Sequence, residues 1–265
     1  MRLAWATDIH LNFLSPEGRH TFYDAFREAG AEAAVITGDI AEAPSLDALL
    51  RELGDALDVP VYFVLGNHDF YRGDVASARA VAARLSRAHP RLRYLTGAAP
   101  VPLDARTALV GHDGWADGRA GDFARSQVFL NDYLLISDLV THDATERLAR
   151  MQRLAREAAD ALTAVVTEAL ATHAHVIVAT HVPPFREACW HDGKISDDQW
   201  APHFTSVTVG EALRAVMVRH PHRTMEVLCG HTHGAGTTQV LPNLVVRTGG
   251  AEYGAPSIAA VLTTG

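Results

Sequence analysis

The sequence predicts an α/β domain in which βα units give way to a β-rich end, and three observations predict it. Short apolar runs of strand length recur along the chain, amphipathic helical patterns lie between several of them, and the pattern near the C-terminus changes to strands joined by short turns. A chain of 265 residues with balanced hydropathy carries enough apolar material for one large core of this kind, so one domain spanning residues 1–265 is expected.

Taken in order, the apolar runs are residues 3–7, 33–37, 61–65, 107–110, 176–180 and 225–229, each ending in polar or glycine-rich sequence as buried strands do. Leu46, Leu49, Leu50, Leu53 and Leu57 recur with helical spacing behind Ser45, which is the expected N-cap. A longer helix is expected over residues 143–172, where Leu148, Met151, Ala155, Ala158, Leu162, Val165 and Ala169 keep to one face. One isolated helix of this length packs on a sheet more readily than it forms a coiled coil. Beyond it, residues 237–240, 244–248 and 257–262 read as strands, with short turns at Pro242-Asn243 and Gly249-Gly250. Two irregular stretches, residues 111–138 and 183–207, are long enough to act as specificity loops.

Composition narrows the function. A net charge of −8 argues against a nucleic-acid-coating surface, which needs clustered Lys and Arg. Cys189 and Cys229 are too few for a disulfide framework and are not spaced as CxxC, so both read as packing thiols. The N-terminus runs straight into a strand, without the pattern of a signal peptide, and no stretch approaches the roughly 20 apolar residues of a membrane span. A cytoplasmic protein with no membrane partner is therefore expected.

The chemistry is carried by position. Asp8 and His10 follow the first run, Asp39 the second, Asn67 and His68 the third, His181 the fifth, and His231 and His233 the sixth. In an open α/β sheet the carboxyl ends of the strands share an edge, so these side chains can converge although nearly the whole chain separates them. Residues i and i+2 of an extended segment point the same way, which lets both ends of Asp8-Ile9-His10, or of His231-Thr232-His233, reach one ion. Carboxylates, imidazoles and an amide in this number suit two divalent or mixed-valence ions better than one structural zinc. Gly38, Gly66 and Gly230 stand between strand and candidate ligand, where a positive φ or close backbone approach is often needed. His112 and Asp113 also follow a strand, but nothing in their spacing demands a metal. A phosphate-binding P-loop, a GxSxG nucleophile elbow and an HExxH zinc helix are all absent from the sequence.

The fragments DIH at residues 8–10, GD at 38–39, GNHD at 66–69, TH at 180–181 and GHTH at 230–233 together resemble the calcineurin-like metallophosphoesterase family, in order and spacing, through about residue 250. The resemblance implies a four-layer αββα sandwich, two mixed β-sheets face to face with helices outside. It implies that Asp8, His10 and His233 hold one ion, that Asn67, His181 and His231 hold another, and that Asp39 bridges them. His68 corresponds to the family's catalytic histidine, which contacts phosphate and protonates the leaving oxygen; Asp69 either orients His68 or caps the following turn. The implied cofactors are two ions of manganese, iron or zinc, and the implied reaction is hydrolysis of a phosphate ester by metal-bound hydroxide.

Departures from relatives narrow the substrate. Glu42 stands where purple acid phosphatases carry a ligand Tyr, and the GDIAEA segment lacks the phosphate-binding Arg of phosphoprotein phosphatases. A small-molecule phosphate ester is the expected partner. A phosphodiesterase of cyclic nucleotides or other small diesters is the alternative within enzymes, and a non-catalytic scaffold the alternative outside them. Trp115, Trp190 and Trp200 are candidates to stack on a substrate ring, and Arg119, Arg125, Arg186 and Lys194 to reach a second phosphate.

Overall fold

The computed structural model describes residues 1–265. Strand and helix alternate at first: β1 (Arg2–Ala6), α1 (Pro16–Glu28), β2 (Ala33–Thr37), α2 (Ala43–Ala56), β3 (Val61–Val64), α3 (Val75–Ala88) and β4 (Leu92–Tyr94). There follow β5 (Val101–Pro102), β6 (Thr107–Gly111), α4 (Asp132–Leu135), α5 (Ala144–Thr172) and β7 (His175–Ala179). The chain ends with β8 (Trp190–His191), β9 (Lys194–Ile195), α6 (Ala201–Phe204), α7 (Val207–Arg219), β10 (Thr224–Cys229), β11 (Gly236–Leu241), β12 (Leu244–Thr248) and β13 (Ala260–Thr263).

The strands form two large sheets. One has the order β13-β1-β2-β3-β4, the other β11-β12-β10-β7-β6-β5, and β8 and β9 make a separate hairpin. Each large sheet is parallel at its centre and antiparallel at an edge, β13 against β1 in the first and β11 against β12 and β5 against β6 in the second. Alternation along the strands sorts side chains into three cores. Leu3, Trp5, Val35, Val64, Leu109, Ile177 and Leu228 meet between the sheets. Ala4, Ile36 and Phe63 point the other way, onto the apolar faces of α1, α2 and α3, and Val110, Val178 and Val227 point onto α5 and α7. The result is the four-layer αββα sandwich of two mixed sheets.

Helix α5 buries Met151, Leu154, Ala155, Ala158, Leu162, Val166 and Ala169 along its stripe, and the Asp143 carboxylate caps it by accepting from Thr145 N at 2.8 Å. Leu148 and Val165 lie at the margins of that stripe rather than on it. No helix is long and apolar enough to cross a membrane.

Some local expectations are corrected. The N-cap of α2 is Glu42, not Ser45, because Pro44 is accommodated in the first turn and draws the helix start back; Ser45 Oγ donates to Glu42 O at 3.1 Å. Gly249-Gly250 is not a hairpin turn: residues 249–259 run irregularly from one sheet to the other, so the last strand begins at Ala260 and pairs with β1. The stretch 183–207 is not wholly irregular, since it contains the β8–β9 hairpin and α6.

Candidate metal centre

The segments that leave β1 and β2 are zipped together beyond the sheet edge, with Asp8 N donating to Gly38 O at 3.1 Å, His10 N to Asp39 O at 2.9 Å and Leu11 N to Ile40 O at 2.8 Å. That pairing turns the backbone sharply: Asp8, His10, Asp39, His231 and His233 all have positive φ, between 40° and 72°. Asp and His visit this region more readily than most side chains, and here it aims the post-strand residues inward. Gly230 is required by proximity, since a Cβ there would overlap Thr7 Oγ1 and the Asp8 carboxylate. Gly38 needs both its φ of 90° and the space beside His181.

One half of the site gathers Asp8, His10 and His233, whose ligating atoms lie within 4.8 Å of one another. Asp8 accepts from Thr7 Oγ1 at 2.6 Å and from His231 N at 3.1 Å, and His233 Nε2 lies 3.4 Å from Asp8 Oδ1. Burial works against the Asp8 charge, but the bond with His233 and the neighbouring imidazoles outweigh it and hold the carboxyl below its usual range. His10 is buried with neither ring nitrogen hydrogen-bonded, and burial depresses it to about 4.

In the other half every ring is pinned. His181 Nδ1–H donates to Thr37 O at 2.8 Å, which leaves the Nε2 lone pair facing Asn67 Oδ1 at 2.9 Å. His231 Nε2–H donates to His203 O at 3.3 Å, which leaves Nδ1 facing the same Asn67 oxygen at 2.9 Å. Burial lowers both histidines, His231 to about 3, so neither ring carries a spare proton to place between these acceptors. Three lone pairs converge with no hydrogen among them.

Asp39 lies between the halves. Its Oδ2 is 3.8 Å from His10 Nε2 and 3.9 Å from His68 Nε2; its Oδ1 is 3.4 Å from His181 Nε2 and accepts from His68 N at 2.8 Å. Burial first, then the charges of Asp8 and Asp69, raise its pKa well above the usual carboxylate value. A carboxylate so disfavoured as an anion, beside lone pairs without protons, is a setting that cations complete. The residues present therefore fit a pair of metal ions.

His68 stands at the cleft side of Asp39, its ring stacked on Tyr71 with centroids 4.2 Å apart. Burial, then the charges of His10 and His181, depress it to about 2. Asp69 does not touch it: the Asp69 carboxylate accepts from Ile40 N at 3.0 Å, Ala41 N at 2.8 Å and Gly66 N at 2.8 Å. It ties the Asp39 loop to the Asn67 loop, and burial pushes its pKa up to about 7 against those three bonds.

A cleft of about 650 Å³ opens above these residues, with Asp39, Asn67, His68 and His233 on its floor and Lys194, Trp200, Phe204 and Tyr253 on its walls. Several expected wall residues are placed elsewhere. Trp115 is buried against Phe70, and Trp190 packs over Gly236 and donates to Thr238 Oγ1 at 3.3 Å. Arg119 pairs with Glu211 at 2.6 Å, Arg186 with Asp198 at 2.7 Å and Arg125 with Asp122 at 3.8 Å, none of them lining the cleft. Asp113 is a buried hub that accepts from Leu65 N, Tyr94 OH, Thr96 Oγ1 and Arg79 Nε, and His112 Nδ1 accepts from Gly114 N; neither reaches the site.

Sequence reading missed Asp132, Tyr71, His203 and Tyr253. Tyr253 lies over the open half, its ring 4.6 Å from that of His10 and 4.8 Å from that of His233. It stands in the irregular crossover between sheets, where no periodicity or motif marks it.

An αββα sandwich whose strand ends gather this set of carboxylates and imidazoles defines a protein of the metallophosphoesterase class. The chain belongs to the calcineurin-like phosphoesterase family, whose sequence profile matches residues 1–235. It is 34% identical over 125 residues to a UDP-2,3-diacylglucosamine hydrolase of Stenotrophomonas maltophilia, a match spanning 42% of this chain and 46% of that relative. In fold it is similar to the phosphopantetheinyl hydrolase of Mycobacterium tuberculosis, with a TM-score of 0.69 at 14% identity over 96% of this chain and 94% of that one. It is also similar to a dimetal phosphatase from Danio rerio, with a TM-score of 0.57 at 17% identity over 98% and 88% of the two chains.

Proposed function

We propose that this protein hydrolyses small-molecule phosphate esters at a two-metal centre. Asp8, His10 and His233 hold one ion, Asn67, His181 and His231 the other, and Asp39 lies between them. The observation that carries the reading is the convergence of Asn67 Oδ1, His181 Nε2 and His231 Nδ1 with every nearby proton already committed to Thr37, His203 or Asp132. Asp, Asn and His donors suit manganese, iron or zinc. Such ions, when bound, acidify water toward neutrality and offset the charge that builds on phosphoryl oxygens.

The chain's own groups do the rest. His68, at the boundary of cleft and floor, contacts the phosphoryl group and passes a proton to the leaving oxygen; an incoming anion favours its protonated form against the burial that depresses it. Tyr71 supports the ring by stacking against it. The segments 111–138 and 183–207 set specificity. Trp200, 45% exposed and stacked on Phe204 at 5.5 Å, offers a face to a ring of the substrate, and Lys194 offers a cation to a second anionic group.

A diester substrate is the second reading. The apolar wall of Trp200, Phe204 and Ile195 provides room for a second ester substituent, and the partial match to a hydrolase whose named substrate carries UDP supports including nucleotide-linked esters in the test. The test is metal content per chain, measured with hydrolysis of an aryl phosphate and a bis-aryl phosphate, with and without added manganese. About two ions with turnover are expected. No metal and no turnover after reconstitution would leave a non-catalytic scaffold.

A further inference from the structure

The amide of Asn67 poses a problem of direction. Its two ends are nearly the same size, yet only the oxygen can face a cation; a flipped amide would present two N–H groups to the ion and to His181 and His231. Something must break that symmetry. Asp132, on the short α4 within the irregular stretch 111–138, is buried at 4% exposure, and its Oδ1 accepts from Asn67 Nδ2 at 2.8 Å. The same oxygen accepts from Tyr71 OH at 2.7 Å, and Tyr71 is the residue on which His68 stacks.

We propose that Asp132 is a positioning residue that fixes the direction of the Asn67 amide, and so creates the second metal position, while holding Tyr71 beneath His68. The proposal rests on the reading of Asn67 as a metal ligand. The physical argument is one of exclusion. The Asp132 oxygen that meets Asn67 already accepts from Tyr71 OH, so the Asn67 end facing it is the NH2, and the Asn67 oxygen is turned toward His181 and His231. The Asn67 amide cannot reverse without leaving Asp132 and Tyr71 OH without their shared donor and bringing two acceptor oxygens together in a buried space, which costs more than the single bond lost. Groups that orient a ligand in this way typically contribute about 10–100-fold in metal affinity.

The decisive experiment is calorimetric titration of manganese into metal-free protein, resolving the two sites, with circular dichroism to confirm folding. Wild type is expected to bind two ions; failure to do so would overturn the metal-site reading itself, separately from the role of Asp132. Asp132→Ala is expected to weaken one site by about 10–100-fold while the site of Asp8, His10 and His233 keeps its affinity. Asp132→Asn carries an amide that can either accept or donate, and is expected to recover only part of the loss. Equal affinities in wild type and D132A would overturn the proposal, as would a D132N variant that binds the second ion as tightly as wild type. Should D132A not fold, the coupled pair decides. D132N is expected to strengthen the second site in an N67D background, where it separates two facing carboxylates, and not in wild type; the same effect in both backgrounds would overturn the proposal.

Discussion

The floor of the cleft and its walls are built on opposite terms. The floor consists of residues two to four positions past a strand end, most of them buried, with ring nitrogens assigned by bonds such as His181 to Thr37 O and His231 to His203 O. The walls come from loops and from the short β9 and α6, and Trp200 and Tyr253 are 45% and 54% exposed. The floor is preorganised by the same backbone ladder that forms the sheets, whereas the walls are held by side-chain contacts that can change without disturbing the core. On the proposed function, chemistry lies where replacement disturbs the core and substrate choice where it does not.

The sharpest way to break this contrast is at Asp39. Asp39→Ala is expected to lose both ions, measured by metal analysis, and to lower kcat/KM by more than the about 10²–10⁴-fold typical of one general acid. His68→Ala is expected to fall within that range while keeping both ions; near-normal turnover would remove it from the reaction.

His203 sharpens the contrast differently, because it belongs to a wall segment yet its carbonyl pins His231. Burial, then Arg147, depress its pKa to about 4 from the usual 6.5. A base whose pKa is lower folded than unfolded takes up its proton first in the unfolded chain. Its contribution to stability is therefore complete above pH 6.5 and is lost as pH falls from 6.5 toward 4, at no more than about 1.4 kcal/mol per pH unit. In His203→Gln the stability curve of the metal-free protein, followed by denaturant unfolding, is expected to be flatter over that window than in wild type. The smallest effect belongs to the wall proper: Trp200→Ala is expected to raise KM for an aryl ester about 2–10-fold, the worth of one aromatic stack, with kcat and metal content unchanged.

The same division explains what could be read in the sequence. The strand runs and the residues following them were legible because burial imposes apolar stretches and because the motifs sit in fixed register to those stretches. The sandwich itself was implied only by resemblance, since periodicity tells that a strand is buried and not which sheet it joins; β13 is the example, expected beside β12 and found against β1. Asp132 and Tyr253 were illegible for a related reason. Each reaches the site from an irregular segment, so its position depends on where the whole loop packs, and no local spacing records that. Trp115, Arg119 and Arg186 were misjudged in the opposite sense: loop position suggested a cleft, but packing and ion pairing claimed them.

The left-handed backbone at Asp8, His10, Asp39, His231 and His233 carries a further consequence. Each such residue costs up to about 1–2 kcal/mol relative to ordinary backbone, least at Asp, and together they are a substantial fraction of the roughly 5–15 kcal/mol by which a domain stays folded. A ligand that binds only the folded chain repays that cost by mass action. Wherever proteases sample the unfolded fraction, the abundance of this protein is expected to rise with the supply of a metal that binds the folded chain.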